Sequence, residues 1–283
     1  MTSSLIFILM LLLKDVVPQM ANALNGLKES GKLVVNTKDR LNKAIQYFLD
    51  RLYMHRISVH MLIATHKSMF CPEESGKNTR LLGTIDPMCD PAQVAEEAYE
   101  SAAFLCDNEY MDHPKLNIKI SNRVDDTNTV NFVYIPSHLY HMFFEVFKNS
   151  MRATMEFHED AETLPEIDVH IVKSSDDITI KISDQGGGIS RSTAANVFLY
   201  LYTSADSVQL KGGNTGGTTD TNTPMHGLGY GLPLSKLYAK YVTLVFSSSV
   251  TMCSYLCLDI SAGTSRLPAV TATGLTPTST SRR

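Results

Sequence analysis

From residue 41 to 52 apolar side chains return every three or four positions: Leu41, Ala44, Ile45, Phe48, Leu49 and Leu52. That period draws one stripe along a helix. Asn36 or Thr37 can cap its start. An earlier helix is predicted over 15–33, with Pro18 in its first turn. A stretch containing Gly76 and Gly83 interrupts the pattern. The next helix opens at Asp90 as N-cap, with Pro91 at the first helical position and Gln93 at the capping-box position. Residues 1–110 therefore read as a helical, bundle-like unit of two or three helices, an incomplete four-helix bundle.

After residue 114 the period changes from helical to alternating. "KLNIKIS", "NFVYIP", "IDVHIVK" and "DITIKIS" predict strands. A long helix near 137–158 falls between the second and third of them. Residues 206–226 are rich in Gly, Thr and Asn and predict a mobile loop. A short helix is expected over 232–242, then terminal strands in "VTLVFSSSV" and "CSYLCLDI". The Thr/Ser/Pro-rich tail from 267 predicts disorder. The fold class is α+β, with a mixed-sheet domain over 111–262 and a tail over 263–283. No internal repeat is visible.

Composition narrows the field. A hydrophobic share of 43% with 19% charged residues describes a globular chain of 283 residues. A net charge of −4 gives no broad pull toward nucleic acid or anionic membrane. The run Leu5–Leu13 is too short to span a bilayer and lacks a basic flank in front of it. Five cysteines, an odd and sparse set, point to free thiols in a reducing compartment. Cys253 and Cys257 lack the further ligands a zinc site needs.

Candidate chemistry begins on the long helix. With His141 set at zero, a pitch of about 100° per residue puts Glu145 near 40°, Asn149 near 80°, Arg152 near 20° and Lys148 near −20°. His138 and Glu156 join the strip, and nearly everything else around the helix is apolar or small. A surface helix usually shows the reverse proportion. A core helix with one edge in solvent is the plain alternative; the chemistry of the strip favours a site. Glu145 can act as a base and His141, one turn earlier, can orient it. Asn149 offers an oxygen for Mg²⁺, and Lys148 and Arg152 can meet phosphate charge.

Two glycine clusters extend that idea. In "DITIKISDQGGGI" a strand ends at Asp184 and runs into Gly186, Gly187 and Gly188. A carboxylate there can accept an adenine amino proton, and glycines let backbone approach a base; a surface turn is the other reading. In "MHGLGYGLPLSKLYAKY", Gly227, Gly229 and Gly231 precede a helix whose N-terminus suits phosphates. It is neither a Rossmann turn nor a P-loop.

The ordered set resembles the ATP-binding fold shared by DNA gyrase, heat-shock chaperone ATPases, sensor histidine kinases and mismatch-repair ATPases (the GHKL group). "PSHLYHMFFEVFKNSMRATME", "SDQGGGI", "VFLYLYTSA", "GLGYGLPLSKLYAKY", "IQYFLDRLYMHRIS" and "IDPMCD" resemble the mitochondrial pyruvate dehydrogenase kinase family over residues 15–242. The resemblance implies a helical bundle followed by an α/β-sandwich ATP-binding domain. It implies transfer of the γ-phosphoryl of Mg-ATP to a serine of the E1α subunit of the pyruvate dehydrogenase complex, which inhibits that complex. Glu145 would be the base with His141 beside it, and Asn149 would hold Mg²⁺. Nucleotide contacts would come from Arg152, Asp184, Gly186, Gly188, Thr203, Ser204, Gly227, Gly229, Tyr230, Gly231 and Leu232. The lipoyl domain of E2 and a second copy of the chain would be partners, and the mitochondrial matrix the location. The pattern departs from the family in the order Thr203-Ser204, in Gln185, and after Tyr241. The chain reads as a form shortened at both ends. The alternatives are a branched-chain 2-oxoacid dehydrogenase kinase, a non-catalytic form that holds nucleotide or lipoyl domain, and a sensor histidine kinase using His60 or His66.

Overall fold

The computed structural model describes residues 16–30, 40–70, 81–122, 129–159, 161, 163–174, 178–194, 196–202, 225, 229–246 and 255–257. The run Leu5–Leu13, the caps Asn36 and Thr37, the tail, and almost all of the loop 206–226 lie outside them, as do Thr203, Ser204 and Gly227.

Helix α1 is Val16–Glu29 and α2 is Arg40–Phe70. A short strand β1, Asp86–Cys89, leads into α3, Pro91–Tyr110. Asp90 caps α3 as expected, accepting from the Ala92 N–H at 2.9 Å. Gln93 does not close a capping box. Its amide turns forward to donate to Glu97 at 3.0 Å, the ordinary neighbour one turn on.

Strands β2 (Leu116–Asn122) and β3 (Phe132–Tyr134) precede helix α4, Pro136–Phe157. Then come β4 (Ile167–Lys173), β5 (Ile178–Ser183), a four-residue helix α5 (Arg191–Ala194), α6 (Gly231–Phe246) and β6 (Tyr255–Cys257). The main sheet has the order β2-β4-β5-β6. It is mixed: β2 and β4 run parallel, β4 and β5 antiparallel, β5 and β6 parallel. Strand β3 does not join it. It pairs with β1 instead, Asp86 opposite Tyr134 and Cys89 opposite Phe132. The α+β expectation with a mixed sheet holds.

Alternation explains the sheet. Ile167, Val169 and Ile171 of β4 and Ile178, Ile180 and Ile182 of β5 all point into one core. Burying each such side chain is worth about 1.5–3 kcal/mol. On the other side of that core lie Leu139, Met142, Phe143, Val146, Phe147 and Met151 of α4. The small buried face of α3 (Ala95, Ala98, Ala102, Ala103) lets it press close against α4. Tyr99 meets Phe147 edge-on at 5.9 Å, and the Tyr140 hydroxyl donates to Ser101 at 2.8 Å.

A second core forms around α2. Leu49, Tyr53 and Ile57 pack with Ala21 and Leu24 of α1, with Tyr200 and Leu201, and with Tyr230, Leu234 and Leu237. Helix α6 thus touches both cores.

One expectation fails at α6. Residues 242–246 are helical, not a strand. The apolar spacing Leu234, Leu237, Tyr238, Tyr241, Leu244 continues the helix without a break. That period outweighs the β propensity of the two valines there.

Candidate functional site

A cavity of about 400 Å³ opens beside the C-terminal half of α4. Four segments close around it. Helix α4 supplies Glu145, Val146, Lys148, Asn149, Ser150, Arg152, Ala153, Glu156 and Phe157. The turn after β5 supplies Asp184, Gly186, Gly188 and Ile189. Val197 and Tyr202, with Gly229, Gly231, Leu232 and Pro233 at the start of α6, complete the wall. The strip and the glycine clusters therefore meet in one place.

At the end of β5, Asp184 is fixed from two sides. The Ser150 hydroxyl donates to it at 2.9 Å, and the Gly186 N–H donates to its other oxygen at 3.0 Å. A carboxylate held this way faces the cavity at a set angle. Ile189, Val197, Val146 and Leu232 supply apolar wall nearby.

Gly186 is a glycine for a reason the sequence does not reveal. A Cβ there would meet the α4 backbone, 2.7 Å from the Ala153 carbonyl carbon and 2.9 Å from the Thr154 nitrogen. The missing side chain admits the helix backbone. Gly187 and Gly188 hold positive φ of 77° and 75°, which favours glycine. Gly231 stands against the Glu145 carboxylate, where a Cβ would collide with it. Gly229, at φ 76°, leaves room for the Tyr202 carbonyl.

Charges along the strip are paired within the helix. Lys148 is only 8% exposed and its ammonium lies 3.1 Å from Glu145. The Arg152 Nε lies 3.3 Å from Glu156, within ion-pair reach though not aimed as a hydrogen bond. The Asn149 amide lies half-buried on the wall.

His141 sits apart from the lining. Its ring meets Tyr238 of α6 edge-on at 4.9 Å, and its Nε2 is buried without a hydrogen-bond partner among the described residues. Burial holds its imidazole below the ordinary histidine pKa; Glu145 opposes that shift, and Lys148 and Arg56 reinforce it. His138 packs tilted against Tyr238 at 4.6 Å, and burial lowers its pKa to about 4, with His60 and His141 acting in the same direction. The strip is thus divided: α6 covers its first turns and the cavity takes the rest. Tyr230 also turns away, 5% exposed in the second core beside Tyr53 and Tyr200. Only its backbone adjoins the glycines at the wall. Thr203, Ser204 and Gly227 lie outside the described residues.

Ser150 and Tyr202 are site residues that periodicity does not single out. Ser150 lies about 180° from His141 in projection, among core positions. Its role depends on Asp184, which only the fold brings beneath the helix.

A cavity between a helix bearing Glu and Asn one turn apart and two glycine turns defines a class. Residues 134–256 match the family model described as histidine kinase-, DNA gyrase B- and HSP90-like ATPase. Residues 9–86 match that of the mitochondrial branched-chain alpha-ketoacid dehydrogenase kinase. The chain belongs to the mitochondrial pyruvate dehydrogenase kinase family within that class. It is 45% identical over 235 residues to a Drosophila melanogaster pyruvate dehydrogenase (acetyl-transferring) kinase, covering 80% of this chain and 53% of that one. A probable kinase of the same name from Caenorhabditis elegans is 43% identical, over 80% and 53%. Mouse isozyme 1 is 41% identical, over 80% and 50%. The chain spans about half the length of the curated relatives it matches. Among solved structures, a mycobacterial sensor histidine kinase aligns over 54% of this chain and 77% of its own at 16% identity. The TM-score of that alignment is 0.33.

Proposed function

We propose that this protein is an ATP-dependent protein serine kinase acting on the E1α subunit of the pyruvate dehydrogenase complex. The observation that carries the reading is the shared wall: Glu145, Asn149 and Arg152 face the same cavity as Asp184 and Gly231. The residues suit a magnesium nucleotide. Asn149 presents an amide oxygen at the wall, of the kind Mg²⁺ takes alongside phosphates. Asp184 offers a fixed acceptor for an adenine amino group. Arg152 lies on the same wall and can turn from Glu156 toward phosphate.

Bound Mg-ATP supplies a γ-phosphoryl group whose transfer depends mainly on positioning and charge neutralisation. The protein's part is to hold and deprotonate the acceptor. Glu145 Oε2 takes the proton of the serine hydroxyl, with Lys148 fixing the carboxylate and Gly231 leaving room beside it. His141, kept neutral by burial, backs this turn of α4 through its packing on Tyr238. Residues 1–110 and 111–262 act as the bundle and kinase units, the lipoyl domain of E2 and a second copy are partners, and the matrix is the location.

The test is incorporation of labelled phosphate into purified E1α, with the branched-chain E1α as the parallel substrate. The pyruvate enzyme's subunit is the one expected to be labelled. Glu145→Gln is expected to slow transfer by about 10²–10⁴-fold while nucleotide binding survives. Undiminished transfer in that variant would remove Glu145 as base. Nucleotide binding by the parent chain without any labelled E1α would leave a non-catalytic binding form.

A further inference from the structure

The segment that delivers Tyr202 to the cavity is held by side chains from another part of the chain. Gln46 of α2 meets both backbone groups of Tyr200. Its Oε1 accepts from the Tyr200 N–H at 2.9 Å, and its Nε2 donates to the Tyr200 carbonyl at 3.3 Å. The same Nε2 also donates to Asn42 at 3.2 Å, one turn earlier on α2. A primary amide can do this because it has the donor and acceptor pair of a peptide group. Gln46 thus stands in for a neighbouring strand.

Other ties converge on Tyr200 and its neighbour Leu201. The Tyr200 hydroxyl donates to Asp50 at 3.0 Å. Lys28 of α1 donates to the Leu201 carbonyl at 3.2 Å. The Leu201 N–H donates to the Gly229 carbonyl at 3.1 Å. Leu201 has φ 67°, a left-handed conformation that a leucine adopts only when its surroundings impose it. Its side chain is buried, so the strain is held from within the second core as well.

The consequence reaches the site. Gly229 packs against the Tyr202 carbonyl, and two residues later Gly231 packs against Glu145. Tyr202, Gly229 and Gly231 all line the cavity. The position of α2 is therefore passed, through the Gln46 side chain and the backbone it grips, to one wall of the cavity.

We propose that Gln46 is a positioning residue for the nucleotide: by clamping the backbone of Tyr200 it sets the Tyr202–Gly229–Gly231 wall, so that α2 tunes nucleotide affinity without touching the ligand. This rests on the reading of the cavity as a nucleotide site. Gln46→Met keeps length and removes both bonds to Tyr200 together with the one to Asn42. It is expected to weaken binding of Mg-ATP about tenfold. Lys28→Met removes one tie from an exposed residue, leaves the cores intact, and is expected to weaken binding about threefold.

Dissociation constants are measured by calorimetry on the full chain at low temperature, where each variant is shown to be folded by circular dichroism. Ser101→Ala, which loses the bond from Tyr140 between α3 and α4, is the control for loss of stability alone. The proposal expects Ser101→Ala to bind as the parent does, and Gln46→Glu, which keeps only the acceptor, to remain impaired. A folded Gln46→Met or Lys28→Met pair that binds Mg-ATP as tightly as the parent overturns the proposal and leaves the cavity reading standing. A parent chain that binds no Mg-ATP overturns both.

Discussion

The two glycine turns that border the cavity look alike in sequence and do opposite work. Around Gly186 the missing Cβ makes room for protein: the Ala153–Thr154 backbone of α4 lies where a side chain would be. Around Gly231 it makes room for a functional group, the Glu145 carboxylate. The first turn is a structural joint between sheet and helix. The second is a clearance in the site. A glycine's neighbour, backbone or side-chain tip, decides what its loss does.

Substitution can break the two apart. Gly186→Ala forces β5 away from a backbone that cannot yield, and is expected to cost about 3 kcal/mol or more. Urea unfolding would read it as a lower midpoint with an unchanged slope, and nucleotide binding would fall with it. Gly231→Ala meets only the flexible end of Glu145. Its stability is expected to change by about 1 kcal/mol at most, while phosphoryl transfer drops by about 100-fold. Equal damage to folding in the two variants would erase the distinction.

The anchor behind the second turn titrates. His138 packs on Tyr238 and Tyr241 of α6, the helix that begins at Gly231. Its folded pKa of about 4 lies below the unfolded 6.5. Between those values the unfolded chain binds more protons, so stability rises with pH. It is complete above about pH 6.5 and is lost as the pH falls toward about 4, by at most about 3 kcal/mol from this group. In His138→Phe, thermal melts across that window should show a shallower decline.

The smallest effect belongs to the first turn. Ser150→Ala leaves Asp184 its bond from the Gly186 N–H and removes the other. A loss of about 1 kcal/mol, or roughly fivefold in nucleotide affinity, is expected by calorimetry.

Sequence periodicity finds β4 and β5 because isoleucine alternates cleanly along both. It finds the strip on α4 because charge is rare on so apolar a helix. It does not find β1, four residues containing Pro87 with no alternation to read. Nor does it separate Glu145 from His141, since equal spacing says nothing about which neighbouring element covers each turn. The end of α6 is misread because valines favour strands locally, while Tyr238 and Tyr241 bind the helix to a core assembled from distant segments. Gln46 gives no signal at all: it recognises main-chain atoms, which every residue carries.

Strand β6 has a consequence of a different kind. It lies parallel to β5 at the margin of the sheet, Thr179 opposite Tyr255 and Lys181 opposite Cys257. During synthesis β5 leaves the ribosome long before its partner does. Until residues 255–257 emerge, one flank of β5 carries bare amide and carbonyl groups, the kind of template on which nascent chains cross-pair. The cavity turn at Asp184 thus hangs on a strand that is sealed late in synthesis.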